Sequence, residues 1–257
     1  MNPPAKSILI LAGLDKSRVL EALLEDGEDV IGLVIPDRAN TDARLGGMPA
    51  LAAARSVPVH RVKHRGLREL LNRLQPDILL SLGYPSLLGP ELLGIAGWNL
   101  NVHPTLLPKY RGPATAWHVL AAGEKRSGVT VHHIDAGMDT GPVLAQLECD
   151  LGPFDTLRSL KRKTDALEPP AVRAALVRLR SGDPGGDPQN EAEASTFRES
   201  RTPDDSRVDP SRSLLELYDF IRACDPDRFP AFFEVEGQRV GIRLFRPVKP
   251  PREEDLL

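Results

Sequence analysis

The stretch from Trp98 to Pro142 constrains the fold more than any other part of the chain. It opens Trp98-Asn99-Leu100-Asn101-Val102-His103-Pro104, where apolar Trp98, Leu100 and Val102 alternate with polar Asn99, Asn101 and His103. A period of two is that of a β-strand, and it sets Asn101 and His103 side by side on one face. Pro104 ends the strand. The next strand-like run is Gly128 to Ile134, with a helical stretch near Ala114 to Ala122 between the two. A single helix in a gap of about 25 residues predicts a βαβ crossover onto a parallel strand. The following loop, Gly137-Met138-Asp139-Thr140-Gly141-Pro142, would then bring Asp139 to His103. That meeting point is the carboxyl edge of the sheet, where α/β folds bind ligands.

An amide, an imidazole and a carboxylate converging there can perform acyl transfer. The amide donates to a developing oxyanion, the imidazole accepts a proton, and the carboxylate fixes the charge and tautomer of the imidazole. Taken singly, an Asn, His or Asp is more often a cap, a turn residue or a solvated group. Asp139-Thr140-Gly141 also matches an aspartic-protease signature, but that chemistry needs two paired carboxylates and the chain has no second copy of the motif.

At 257 residues the chain suits one large α/β domain, or one with an appendage. A net charge of −3 supplies no overall field toward nucleic acid. Two cysteines, Cys149 and Cys224, make no disulfide framework, which fits a reducing cytoplasm. The apolar run Ile8 to Leu14 is too short to span a bilayer and reads as a buried first strand.

In chain order, Ser7 to Ala12 is a strand, Gly13 and Asp15 turn it, and Val19, Leu20, Leu23 and Leu24 give a helix its buried stripe. Asp29 to Ile35 is a second strand, yet Gly-x-Gly-x-x-Gly is missing, so a dinucleotide site of the usual kind is not expected. Asp37 to Gly47 reads as loop, Met48 to Arg55 and Leu67 to Leu74 as helices, Val57 to Val62 and Ile78 to Leu82 as strands. Pro90 to Ile95 is a helix and Val143 to Glu148 a further strand. Asp155 or Thr156 caps a helix that Pro169-Pro170 breaks and restarts. The Pro/Gly-rich run Ser181 to Pro188 marks a linker. The chain thus divides into a catalytic domain over 1–180, a linker over 181–210, and a helix–hairpin segment over 211–257. Lys109 and Arg111, beside Tyr110 and Gly112, form a cationic loop suited to a phosphate or carboxylate on a substrate, or else a solvated loop. Trp117 reads as a packing residue that could also line an acceptor pocket. Adjacent His132 and His133 face opposite ways on a strand, and no His/Cys/carboxylate set has zinc-like spacing, so no metal is expected.

The run Asn-x-His-Pro-Thr-Leu-Leu-Pro-Lys-Tyr-Arg-Gly from Asn101, with Gly-x-Asp-Thr-Gly-Pro from Gly137, resembles formyltransferases that use N10-formyltetrahydrofolate. These include the glycinamide ribonucleotide, methionyl-tRNA and sugar-nucleotide enzymes. The resemblance is strong from about Pro76 to Gln146, and motifs this long are far more specific than a tripeptide. It implies a Rossmann-like α/β fold with a mostly parallel twisted sheet, and Asn101, His103 and Asp139 as catalytic residues. It places the folate between the loop of Tyr84, Pro85, Ser86, Leu87 and Leu88 and that of Asp135, Ala136 and Met138. Lys109, Arg111, Gly112 and Trp117 would face the amine acceptor. The segment from Arg201 onward resembles the piece appended to the catalytic domain in bacterial amino-sugar formyltransferases, with one departure: Asp209-Pro210 stands where relatives carry a tryptophan after the acid. The expected acceptor is therefore an amino sugar on a nucleotide. Amino-acid or carrier-bound aminoacyl acceptors, methionyl-tRNA, hydrolysis of the donor and folate binding without turnover are the alternatives. Family analogy also suggests a homodimer, while the cysteine usage points to the cytoplasm, the short apolar run to no membrane partner, and the slightly acidic charge away from nucleic acid.

Overall fold

A strand that is apolar at every position must be covered on both faces. β1 (Ile8–Ala12) is such a strand and is wholly buried. Ile8, Ile10 and Ala12 enter one core, while Leu9 and Leu11 enter another. The computed structural model describes residues 6–249; positions 1–5 and 250–257, the outer ends of the expected 1–180 and 211–257 parts, lie outside the described residues. After β1 come α1 (Ser17–Glu25), β2 (Val30–Pro36), α2 (Thr41–Leu45), α3 (Met48–Ala54), β3 (Val59–Val62), α4 (Leu67–Leu74), β4 (Ile78–Leu82) and α5 (Pro90–Leu93). They are followed by β5 (Trp98–His103), α6 (Thr115–Ala121), β6 (Arg126–His133), β7 (Val143–Asp150) and α7 (Leu157–Arg180). Last are α8 (Leu214–Ala223) and a hairpin of β8 (Ala231–Val235) and β9 (Gln238–Ile242).

Seven strands make one sheet in the order β3-β2-β1-β4-β5-β6-β7, parallel through β5 and antiparallel at β6 and β7. One face is covered by α1, α3 and α7 through Leu20, Leu23, Met48, Val172 and Leu176, the other by α4 and α5 through Leu67, Leu71 and Leu92. This is the mostly parallel, doubly covered α/β fold expected. Where the chain leaves β1 and β4, Gly13 donates to the Leu82 carbonyl at 3.1 Å. A Cβ on Gly13 would lie 2.0 Å from the Gly83 oxygen, so only glycine lets these strand exits meet.

Three local expectations are corrected. The β5–β6 connection is no parallel crossover: Leu100 pairs with His133 and His103 with Thr130, antiparallel. The seven residues of α6 span only about 10 Å. They pack on α7 and α8 rather than carrying the chain back along a six-residue strand of roughly 20 Å. Pro169-Pro170 does not break α7, which runs continuously. Each proline removes one helical hydrogen bond, but buried Leu160 and Thr164 before them and Val172, Leu176 and Leu179 after them hold both halves in place. Within Asp37–Gly47, Thr41 and Leu45 are buried and form the short α2.

The C-terminal elements pack on the sheet domain. Ala223 of α8 is buried among Val119, Leu120, Leu151 and Leu160. Arg222 Nη1 donates to the Asp155 carbonyl at 2.8 Å. The stretch between α7 and α8 is also attached: Asp187 and Val143 exchange backbone hydrogen bonds at 2.8 Å, and Arg111 pairs with Ser195 and Phe197. Among the described residues no helix is long and apolar enough to cross a membrane.

Candidate active site

The β5–β6 register sets Asn101 directly opposite His132, so their side chains leave the same face of the sheet, with His103 next along it. The loop after β6 then folds back and delivers Asp139 to all three. Oδ1 of Asp139 accepts from Asn101 Nδ2 at 3.2 Å and lies 3.5 Å from His132 Nε2. Oδ2 accepts from the Gly112 N–H at 2.9 Å and lies 3.4 Å from His103 Nδ1. The structure thus brings Asn101, His103 and Asp139 together, by a returning loop instead of the crossover expected.

Partners fix the tautomers. His103 Nε2 is 2.8 Å from the Tyr110 carbonyl, which only accepts, so Nε2 carries a proton and Nδ1 is the nitrogen facing Asp139. His132 Nδ1 donates to the His133 carbonyl at 2.7 Å, which leaves Nε2 toward Asn101 and Asp139. His103 is 4% exposed, and that burial pushes its pKa down against the upward pull of Asp139 and of the Tyr110 hydrogen bond. For Asp139, burial alone would push the pKa up. The neighbouring imidazoles of His132 and His103 and the Gly112 N–H overcome it and hold the carboxyl far below the usual carboxylate range. Asp139 is therefore an ionised carboxylate in a partly buried site.

The backbone around it is strained. Tyr110, Ala114 and Asp139 hold φ of 60°, 56° and 54°, a left-handed conformation costing about 1–2 kcal/mol at each non-glycine residue. Gly112 sits at φ +98°, and a Cβ there would lie 1.9 Å from the Phe197 oxygen. Such strain collects at functional sites.

Beside this cluster lie the two loops expected to hold the folate. Tyr84 and Leu88 pack with Ile134, which joins the β4 exit to the start of the Asp135 loop. Pro85 and Ser86 are half-buried and Leu87 is 68% exposed. Asp135 and Ala136 are exposed, and Asp135 Oδ1 shapes its own loop by accepting from Gly137 N–H at 3.0 Å and Thr140 Oγ1 at 2.6 Å. Met138 is half-buried against Gly112.

The residues expected on the acceptor side are placed unevenly. Lys109 is 54% exposed, with Nζ 3.8 Å from Glu124. Arg111 is only 3% exposed, and its guanidinium is committed to Gln189 and Glu191 at 2.6–3.0 Å. Gly112 serves Asp139 through its N–H. Trp117 packs edge-on to His118 and Phe220 beneath the Arg201 guanidinium, between the sheet domain and α8. A separate cleft of about 430 Å³, lined by Lys16, Arg18, Arg158, Lys161 and Glu168, shares no residue with the Asp139 cluster. Its buried Lys16 is already paired with Asp165 and Glu168. Among the described residues no group of three His, Cys, Asp or Glu could hold a metal ion.

Two residues at the site escape recognition in the sequence. The pattern puts His132 on a strand, but only the register with Asn101 reveals its contact with Asp139. Gln189, in the stretch expected as linker, donates to the carbonyls of Asp139 and Gly141; nothing in its surroundings marks it.

Comparison with known proteins identifies the family of the chain. The formyl transferase family model matches residues 9–176. Methionyl-tRNA formyltransferase of Marinobacter nauticus is 33% identical over 239 residues, 90% of this chain and 76% of that protein. Phosphoribosylglycinamide formyltransferase from Bacillus halodurans is 29% identical with a TM-score of 0.60, over 69% of this chain and 96% of that one. WlaRD, a sugar 3N-formyl transferase solved with dTDP and 5-N-formyl-THF, shares the fold at 21% identity and a TM-score of 0.69, over 86% of this chain and 79% of that one. The chain belongs to the formyl transferase family: it is an N-formyltransferase, and N10-formyltetrahydrofolate is the formyl donor of that family.

Proposed function

We propose that the chain transfers the formyl group of N10-formyltetrahydrofolate to the amino group of a nucleotide-linked amino sugar, with Asn101, His103 and Asp139 as its working residues. The observation behind this reading is the Asp139 carboxylate, kept ionised and fixed by Gly112, Asn101, His103 and His132. The unprotonated amine attacks the formyl carbon and the carbonyl electrons move to oxygen. The bond from that carbon to the donor nitrogen then breaks, its electron pair returning to the nitrogen, which gains a proton as the new amide loses one. One N–H of Asn101 goes to Asp139. The other, which faces His132 Nε2 at 3.2 Å, turns to the oxyanion as charge develops. Asp139 accepts a hydrogen bond from the ammonium that forms and stabilises its charge until the proton passes to the departing nitrogen. His103, whose Nε2 is spent on Tyr110, acts through Asp139. The folate lies between the Tyr84–Leu88 and Asp135–Met138 loops, and Lys109 and Trp117 lie toward the acceptor.

The acceptor follows from charge. Beside the site, Arg111 is matched by Glu191, and Lys109 is an exposed cation, loosely paired with Glu124. That suits a small ligand with a few phosphate charges. A tRNA needs several cations along its backbone. The likeness to methionyl-tRNA formyltransferases, 33% identical, supports methionyl-tRNA as the second reading. The test offers N10-formyltetrahydrofolate with amino-sugar nucleotides, methionyl-tRNA and glycinamide ribonucleotide in parallel. A formylated sugar nucleotide is the expected product. Formyl-methionyl-tRNA alone overturns the acceptor and leaves formyl transfer standing, and formate released without any amine means hydrolysis.

A further inference from the structure

The side-chain amide of Gln189 uses its full hydrogen-bonding capacity on the site. Nε2 donates to the Asp139 and Gly141 carbonyls, each at 2.8 Å. Oε1 accepts from Arg111 Nε at 3.0 Å and Nη2 at 2.8 Å. Two donors and two lone pairs are all the amide has. Its orientation is fixed, because a flipped amide would oppose oxygen to carbonyls and N–H to guanidinium. Gln189 thus ties the 109–112 loop, which supplies the Gly112 N–H to Asp139, to the loop that carries Asp139. The stretch bearing Gln189 is itself anchored, at Asp187 by backbone pairing with Val143 and at Ser195 and Phe197 by pairing with Arg111.

The need for such a clamp lies in the Asp139 backbone. At φ 54° it is in a conformation that an L-residue leaves unless neighbours hold it. Gln189 grips the carbonyl of that strained residue and the carbonyl two positions on. We propose that Gln189 is a positioning residue for formyl transfer: it fixes the Asp139 carboxylate against Asn101 and His103 without touching substrate. This rests on the reading of Asp139 as the carboxylate of the reaction.

Gln189→Ala and Gln189→Glu separate positioning from support. The glutamate keeps an acceptor for Arg111 but sets an oxygen against both carbonyls of the Asp139 loop, whereas the alanine leaves space there; the two lose the donors in different ways, and a melting curve of each shows which is folded. With the acceptor turned over in the parallel assay, both variants are expected to lose kcat by about 10²-fold, the scale of an ångström of misplacement. KM for N10-formyltetrahydrofolate should stay within about twofold, since uniform binding is untouched. Adding Gln189→Ala to Asp139→Ala is expected to cost nothing further, because its effect runs through that carboxylate. His103 gives a readout that needs no acceptor. With Asp139 drawn away in Gln189→Ala, the NMR titration midpoint of the ring falls, since Asp139 pulls it up and His132 pushes it down. Wild-type kcat in Gln189→Glu, or an unchanged His103 midpoint in Gln189→Ala, overturns the inference alone. Wild-type turnover in Asp139→Ala overturns the reading of Asp139 and this inference with it.

Discussion

The sheet has two halves built on different rules. From β3 to β5 the strands are parallel; β1 and β4 at their centre are buried at every position, and helices cover both faces. From β6 onward the strands are antiparallel, β7 alternates half-buried and exposed positions beyond buried Leu144, and the chain beyond doubles back along the edge. The first half is held by apolar burial, which is non-directional and tolerates exchange of one aliphatic residue for another. The second shares that core through Val129, Val131 and Leu144 under α7, and adds at its edge directed hydrogen bonds to strained loops: Gln189 on Asp139 and Gly141, Gly112 on Asp139, Arg111 on Gln189 and Glu191. The apolar core and the hydrogen-bonded edge that shapes the reaction meet at β5, and the two should answer mutation differently.

The largest effect is expected at Asp139. Asp139→Ala should lower kcat by roughly 10³- to 10⁴-fold, as removal of an orienting carboxylate does elsewhere. Asn101→Ala should cost roughly 10²- to 10³-fold, the loss of one oxyanion donor. The melting temperature of Asn101→Ala should move less than that of Asp139→Ala, whose carboxylate also satisfies the Gly112 N–H and faces two buried imidazoles. Near-normal turnover in a folded Asn101→Ala enzyme would break the division at its functional side.

Ile10 supplies the opposite case. It is fully buried in β1 and faces α1 and α7. Ile10→Ala should cost about 2–5 kcal/mol of folding stability from lost transfer energy and the cavity left behind. Denaturant unfolding would measure the loss, and kcat per folded molecule should be unchanged. A large fall in kcat without loss of stability would mean that the two halves are coupled more tightly than their contacts suggest.

The same division explains how far the sequence can be read. The continuous apolar runs of β1 and β4 and the spacing of Leu67, Leu70 and Leu71 report local burial, and these elements fall where the pattern puts them. The route by which Asp139 reaches Asn101 and His103 is not legible, since the parallel crossover that the spacing predicts is an antiparallel pair with a returning loop. That Asn101 and His103 share a strand face is legible from the strand period. The direction of β6 is not, because it depends on where the short α6 packs and not on the residues of β6 itself. The contact of His132 with Asp139 depends on that register. Gln189 reaches Asp139 across 50 positions of sequence, through a loop whose polar composition looks like any tether.

The smallest predicted effect tests how dry the site is. His103 is enclosed by Asp139, His132 and the Tyr110 carbonyl, and its burial outweighs the attraction of Asp139, so its pKa in the folded chain lies below the ordinary 6.5. As pH falls below about 6.5 the unfolded chain takes up this proton before the folded one does, so stability drops with pH until the folded value is reached. One such group contributes at most about 1.4 kcal/mol per pH unit. His60 and His118 are also pushed down by burial and add to the same slope, which makes the comparison with a variant essential. His103→Gln keeps a donor for the Tyr110 carbonyl and removes the titration. Unfolding free energies between pH 7 and pH 5 should therefore fall less steeply in His103→Gln than in wild type. Parallel slopes would mean that the imidazole titrates as it does in water, and that the carboxylate beside it works in a wetter site than its partners imply.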